Sequence, residues 1–301
     1  MRALTLPIAP LLLVVLLLTG CASNKEEKVG SEQKLYETAQ SSMNSSNWEA
    51  AINALNLIEE HYPFGTYGEQ SQLELIYAHF QSENFDDVIA AADRFIRLHP
   101  QHRNTDYAYY MKGFASYSKE RSFLSSLLAI DNTNRDPGAA KDALAQFGDF
   151  LLRYPHSVYA PDAQKRMTYL RNVLARYEIH VANYYFKRGA YMAAANRGRY
   201  VVENFQTTPA VPDALAVMAQ AYFLLSMDSL AQDSVKVLVV NFPDHPALKA
   251  NGEFDRDYTY QFKKNDWLKY ATLGLLSKDE TQGFDSQDFY NKEKANIAVP
   301  Q

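Results

Sequence analysis

A segment of fixed length recurs along this chain and ends at a proline or at a residue in its place. Fifteen positions separate Trp48 from Pro63, and the same number separates Phe85 from Pro100. Three later copies keep this offset and cover residues 140–155, 191–206 and 228–243; the fourth copy has glutamine where the others have proline. Self-similarity at a regular spacing indicates an array of similar structural units.

Corresponding positions within the five copies carry the same type of side chain. The compact position is occupied by Ala51, Val88, Ala143, Ala194 and Ala231, and the large apolar position by Ile58, Phe95, Phe150, Val201 and Leu238. Small residues let paired helices approach, and proline ends a helix and disfavours the α region for the residue before it. The pattern predicts an all-α fold, a helical-hairpin solenoid of about five repeats.

This layout resembles the tetratricopeptide repeat, whose standard length is about 34 residues. The copies here start 37, 55, 51 and 37 residues apart, so two connections are longer than the standard repeat requires. We expect repeats 1 and 2 and the start of repeat 3 over residues 32–118, an inserted loop over 119–138, and repeats 3 to 5 over 139–246. A helix around Tyr107 to Ser118 precedes the loop, and Asp162 to Arg188 reads as one unusually long helix.

The N-terminus has the layout of a secretory signal, with a positive start and an apolar run too short to span a membrane. Residues 18–21 read Leu-Thr-Gly-Cys, which resembles the bacterial lipoprotein cleavage box. We therefore predict a signal peptide over 1–20, lipidation of Cys21 and a flexible tether over 21–31. The alternative is an ordinary signal peptide followed by a chance cysteine. Ala22 and Ser23, with no aspartate next to Cys21, resemble the pattern of lipoproteins sent to the outer membrane.

The composition argues for a packed binding protein rather than an enzyme. Hydrophobic residues make up 47% of the chain, and the net charge of −5 argues against a nucleic-acid partner. Common nucleophile, nucleotide and metal motifs are missing, and His99 and His102 flank a proline in a predicted turn. We therefore predict no catalytic residues, no metal site and no cofactor.

The chain continues well past the fifth repeat as a C-terminal extension over 247–301. Trp267 to Leu276 could form a short helix that covers the apolar edge of the last repeat, as terminal repeats require. From Ser277 onward the chain is polar and weakly periodic, so we expect the extension to be partly disordered.

Several stretches resemble the BamD family, the lipoproteins of the β-barrel assembly machinery. They are Tyr62-Pro-Phe-Gly-Thr-Tyr67, Asp93-Arg-Phe-Ile-Arg-Leu-His-Pro100, Arg135-Asp-Pro137, Tyr177-Glu178 with Val181-Ala182, and Arg188-Gly-Ala-Tyr191 with Asn196-Arg197. The resemblance implies a lipid-anchored protein on the periplasmic side of the outer membrane. The implied partners are a BamA-type outer-membrane barrel protein, other lipoproteins of the assembly complex, and unfolded outer-membrane protein substrates.

The resemblance also suggests site residues. Arg197, with Asn196, matches the position of a family arginine that contacts the barrel partner; the alternative is a surface arginine paired with a neighbouring acid. Candidates for substrate binding in the N-terminal repeats are Tyr62, Phe64, Tyr67 and Arg94. A core role for Phe64 and a capping role for Arg94 are the alternatives.

Two other classes of function remain open at this point. A pilotin-like repeat lipoprotein would assist a secretin instead of general barrel assembly. An envelope enzyme acting on peptidoglycan would need a carboxylate or nucleophile in a pocket, which the sequence does not display.

Overall fold

The computed structural model describes residues 30–125, 137–258 and 283–286, with backbone only for 120–125. The predicted signal peptide, Cys21, most of the tether and of the inserted loop, and the Trp267–Leu276 helix lie outside these residues. In the described part, the regular structure is helical. The helices are α1 (Glu32–Asn44), α2 (Trp48–His61), α3 (Gly68–Gln81), α4 (Phe85–Leu98), α5 (Thr105–Ser125), α6 (Gly138–Arg153), α7 (Ala160–Lys187), α8 (Tyr191–Asn204), α9 (Val211–Leu224) and α10 (Asp228–Asn241).

Each of the five recurrent segments forms the second helix of a pair: α2, α4, α6, α8 and α10. All ten residues at the compact and large apolar positions are fully buried. Gly198 shows how closely two helices approach, because a Cβ at this position of α8 would lie 2.7 Å from the backbone oxygen of Ala214 in α9. These observations confirm the predicted all-α repeat fold.

The turn after each second helix is built in the same way. The residue that ends the helix donates its N–H to the carbonyl of the large apolar residue four positions earlier, at 2.7 or 2.8 Å. The residues that end these helices are Tyr62, His99, Tyr154, Phe205 and Phe242. Phe205 has the same turn although Gln206 follows it. Proline therefore favours this helix end but is not required for it.

The turn inside a hairpin also recurs. Two residues before the second helix, the backbone adopts a positive φ of 58° at Ser46, Glu83 and Ser226 and 72° at Gly189. This left-handed conformation is unfavourable for residues with a Cβ and is natural for glycine. The four hairpins therefore share one turn geometry, whichever residue occupies the strained position.

The long connections have two different causes. Helix α7 has 28 residues, 14 more than α3, and this difference equals the difference between the 51-residue and 37-residue spacings. The predicted long helix is thus confirmed. Between the second and third copies, α5 continues to Ser125, past residue 119, where the inserted loop is predicted to begin.

The chain divides into two compact units, Met1–Ser71 and Gln72–Gln301. In the first unit, α1 packs against α2 as a hairpin. In the second, each helix from α4 to α10 packs against the next one along the chain. No helix in residues 30–125 or 137–258 is both long and apolar enough to cross a membrane.

The chain beyond α10 covers α9 in the second unit. Gln220 donates to the backbone oxygen of Arg256 at 3.0 Å, and the Arg256 guanidinium lies 3.9 Å from the centre of the Phe223 ring. Residues 283–286 return to the repeats, and Phe284 is fully buried. These four residues thus have a defined place in an extension that we expect to be partly disordered, because an aromatic side chain finds a pocket that composition does not reveal.

Candidate functional site

The predicted substrate-binding residues of the first unit lie in the turn after α2, which is tied to the start of α1. The Glu32 carboxylate accepts a hydrogen bond from the backbone N–H of Tyr67 at 2.7 Å. Gly65 makes room for this contact, since a Cβ there would lie 2.2 Å from a carboxylate oxygen of Glu32. The carboxylate of one helix thus fixes the path of a loop that follows the next helix.

Two tyrosines add to this attachment. The rings of Tyr36 and Tyr67 stack with their centres 4.2 Å apart, and the Tyr62 hydroxyl donates to the backbone oxygen of Gly30 at 3.3 Å. Both predicted tyrosines therefore serve in holding the turn, and each remains half-buried. Stacking of this kind contributes about 0.5 to 1.5 kcal/mol beyond the area it buries.

Phe64 lies between these fixed points with its side chain 100% exposed. The alternative of a core role for Phe64 is therefore wrong. A single exposed apolar residue is common on protein surfaces, but this ring is presented by a turn with defined hydrogen bonds on both sides. The backbone that presents the ring is thus held in place, so little backbone entropy is lost when the ring binds an apolar group.

Arg94, the fourth predicted substrate residue, belongs to the second unit. It lies on α4 and its side chain is exposed.

The predicted partner-binding residues lie on α8. Arg197 donates a hydrogen bond to the Glu178 carboxylate of α7 at 2.9 Å, and its guanidinium lies 5.9 Å from the centre of the Tyr185 ring. The hydrogen bond to Glu178 raises the pKa of Arg197 above its ordinary value. The adjacent Asn196 is exposed. The ion pair named as the alternative thus exists within the chain, and it also holds the arginine in a defined position.

The partners of the predicted residues cannot be recognised from sequence. Glu32 and Tyr36 lie about thirty residues before the turn they hold, and Glu178 lies nineteen residues before Arg197. Pairs this far apart leave no periodic pattern, so only the fold brings them together. The sequence offers one weak sign, which is the glutamate in the first turn of α1. The helix dipole alone favours an acid at that position, so the glutamate does not by itself indicate a contact with the turn.

In the ranges that the structure describes, no group of three or more histidine, cysteine, aspartate or glutamate side chains is placed to hold a metal ion. The two surfaces instead offer an exposed aromatic ring and a fixed guanidinium. These groups suit contact with other polypeptides, where aromatic and arginine side chains often dominate the binding energy.

Pairs of helices with a common turn and buried small residues place the chain in the class of tetratricopeptide-type repeat proteins. A family described as "YfiO: Outer membrane lipoprotein" matches residues 28–238. The outer membrane protein assembly factor BamD of Neisseria meningitidis serogroup B is 40% identical over 241 residues, covering 78% of this chain and 90% of that protein. The BamD proteins of Xylella fastidiosa strain Temecula1 and Vibrio cholerae are 38% and 36% identical, over 80% and 76% of this chain and 84% and 96% of theirs.

The chain belongs to the BamD family of outer membrane lipoproteins. This confirms the resemblance seen in the sequence motifs. The matched region begins before α1 and ends within α10, so the family is defined over the repeats, and the C-terminal extension lies beyond it.

Proposed function

We propose that this chain is a lipid-anchored periplasmic scaffold of outer-membrane β-barrel assembly. It binds a BamA-type barrel protein through the surface around Arg197 and unfolded barrel substrates through the turn that carries Phe64. The observation that carries the proposal is the family match over the repeats, whose relatives are named outer membrane protein assembly factors.

The anchor in this proposal is Cys21, the single cysteine of the chain. One acyl chain holds a protein to a bilayer only marginally, whereas two or more hold it stably. Attachment to the inner leaflet of the outer membrane raises the local concentration of the scaffold at the assembly site. Weak contacts with a partner and a substrate then become sufficient for a transfer step.

The partner surface is supported by the geometry of Arg197. The Glu178 carboxylate is only 5% exposed, while the Arg197 side chain is 41% exposed. One edge of the guanidinium is thus held by a buried acid while the rest of it is reachable from solvent. An acidic group of the barrel partner would meet an arginine whose position is already defined, which lowers the entropy lost on binding.

The substrate surface is supported by the geometry of Phe64, Tyr62 and Tyr67. Strands of outer-membrane barrels alternate apolar and polar side chains and carry aromatic residues at both membrane interfaces. An unfolded segment of such a strand can bury apolar area against the exposed Phe64 ring without folding first. Other members of the assembly complex would occupy further surfaces of the repeats.

Depletion of the protein tests the proposed function. Quantitative mass spectrometry of outer membranes should show a parallel decrease of many β-barrel proteins, with unrelated lipoproteins as the internal control. Unchanged barrel levels after depletion would refute the proposal.

Co-purification in mild detergent tests the partners. A BamA-type barrel protein and other assembly lipoproteins should be recovered with the chain. Recovery of a secretin without them would support the pilotin-like alternative. A Cys21→Ser variant should fail to associate with outer membranes although its repeats fold.

A further inference from the structure

Residues 283–286, with the sequence Gly-Phe-Asp-Ser, lie in a pocket of the second unit made by α7, α9 and the segment after α10. They lie more than forty residues beyond the last matched position of the family, at residue 238. Each of the four residues makes a specific contact or meets a specific steric constraint. This distinguishes the segment from a chain that simply lies on a surface.

The aromatic side chain fills an apolar pocket. The Phe284 ring is fully buried, with its centre 5.4 Å from that of Phe186 and 5.6 Å from that of Tyr258. Full burial of a phenylalanine side chain contributes about 1.5 to 3 kcal/mol. This ring is the main apolar anchor of the segment.

Side chains of α7 and α9 bind backbone N–H groups of the segment that are two residues apart. The N–H of Phe284 donates to Asn183 at 3.0 Å, and the N–H of Ser286 donates to both carboxylate oxygens of Asp213 at 3.1 and 3.2 Å. These main-chain hydrogen bonds hold the backbone of the segment in addition to the contacts of its side chains.

The contacts of Asp285 and Gly283 determine which residue types fit at these two positions. Arg176 donates to the carboxylate of Asp285 at 3.0 Å and also to Asp213. At Gly283 the φ is 135° and a Cβ would lie 2.4 Å from the Asn183 side chain, so only glycine fits. The pocket therefore selects glycine, an aromatic residue and an acid in succession.

The charged groups of the pocket are also held by contacts with residues outside the segment. Asp213 is fully buried in the first turn of α9 and lies within 3.1 Å of His245, and Arg176 also donates to the backbone oxygen of Pro209 at 2.9 Å. A site whose polar groups are held by contacts outside the segment is pre-organised for a peptide ligand.

We propose that α7 and α9 form a peptide-binding site specific for a Gly-Phe-Asp-Ser segment, which the chain fills with its own residues 283–286. When this segment leaves, the site binds a peptide of the same chemistry in trans. The segment is thus a resident ligand that competes with an external one.

The test uses the full chain and a labelled peptide of residues 281–288. A Phe284→Ala/Asp285→Ala double variant removes the two side-chain anchors of the resident segment and should bind the peptide about ten-fold or more tightly than the wild type does. A peptide with alanine in place of phenylalanine is the matched control and should bind at least about ten-fold more weakly. Adding Asn183→Ala to the double variant should weaken binding as well.

Equal peptide binding by the wild type and the double variant overturns the proposal. So does an absence of binding by a double variant that circular dichroism shows to be folded, which would leave residues 283–286 as a structural strap only.

Amide hydrogen exchange on the wild type provides a second measurement if the double variant does not fold. The amides of Phe284 and Ser286 should be protected, and Asn183→Ala should release the Phe284 amide more than the Ser286 amide. Exchange of both wild-type amides at the rate of an unstructured peptide would overturn the proposal.

Discussion

Glu178 of α7 keeps a buried carboxylate within 2.9 Å of Arg197 of α8, and Arg197 carries the surface-exposed end of the pair. The two residues lie nineteen positions apart, on consecutive helices of one hairpin. The Arg197 side chain thus contributes both to the stability of the hairpin and to the proposed partner surface. These two roles can be separated experimentally.

Arg197→Ala should weaken binding of the BamA-type partner by about ten-fold or more, as expected for an arginine at the centre of an interface. The same substitution leaves the buried Glu178 without its arginine, so the free energy of unfolding should also fall by about 1 to 2 kcal/mol. This loss is smaller than for a fully buried pair because Arg197 is partly exposed. Urea denaturation and co-purification measure the two effects.

An Arg197→Ala/Glu178→Gln double variant distinguishes the roles, because a neutral amide tolerates burial better than an unpaired carboxylate. Stability should recover toward the wild type while partner binding stays weak. Arg153→Ala, which breaks an exposed pair with Asp149, is the matched control and should change neither property appreciably. Recovery of partner binding in the double variant would contradict the proposed role of Arg197.

Phe64→Ala should leave the stability of the first unit within about 0.5 kcal/mol of the wild type, because the side chain is fully exposed. Binding of an unfolded barrel segment should weaken by about five-fold to ten-fold through loss of the aromatic anchor. Fluorescence titration with a labelled peptide from the C-terminal region of a barrel protein measures this effect.

Val158→Ala is the control for Phe64→Ala. Val158 lies in the corresponding turn after α6 and is 83% exposed, so it matches Phe64 in exposure and setting. Its substitution should not change peptide binding. Equal losses from both substitutions would indicate general surface hydrophobicity rather than a site at Phe64.

The repeat architecture could be predicted because its signals are local. The proline positions, the compact residues and the large apolar residues all lie within single helices, and the 28-residue length of α7 follows from an uninterrupted helical pattern. The predicted end of α5 near Ser118 lies too early, because no strong helix-ending residue marks the true end. Boundaries without such a residue are hard to locate from sequence.

The contacts of the sites could not be predicted in the same way. Asn183 and Phe284 are 101 residues apart, and Arg176 and Asp285 are 109 apart. Neither pair belongs to a recurring pattern, and the polar composition around Phe284 suggested disorder. Such contacts depend on the arrangement of whole helices, which fixes long-range neighbours only after the repeats have packed.

Acid should destabilise the second unit through His79. Burial lowers the pKa of His79 from 6.5, and Asp87, whose carboxylate lies 3.8 Å away, opposes this shift. Below the unfolded pKa of about 6.5 the unfolded chain takes up a proton that the folded chain does not, so stability is lost as the pH falls from there through the folded pKa. Urea denaturation at pH 7.5 and pH 5 should show this loss.

Two substitutions check that His79 is the cause. His79→Gln should reduce the difference in unfolding free energy between the two pH values, because the titrating group is gone. Asp87→Asn should increase the difference, because the folded pKa of His79 then falls further. If neither substitution alters the pH dependence, another group is responsible.

The hairpin turns offer a stabilising change that sequence inspection would not suggest. The backbone φ is 58° at Ser46, Glu83 and Ser226, and this conformation costs a residue with a Cβ about 1 to 2 kcal/mol. Glycine avoids that cost but loses more conformational entropy on folding, which offsets part of the gain. Glycine at any of the three should therefore raise the free energy of unfolding by about 0.5 to 1 kcal/mol.

Gly189→Ala is the converse control: its Cβ would have nothing within 4 Å, so the expected destabilisation of about 1 kcal/mol comes from the backbone alone. Thermal and urea denaturation of the four variants measure these changes, and a destabilised Ser226→Gly protein would show that the serine contributes more than its backbone conformation costs.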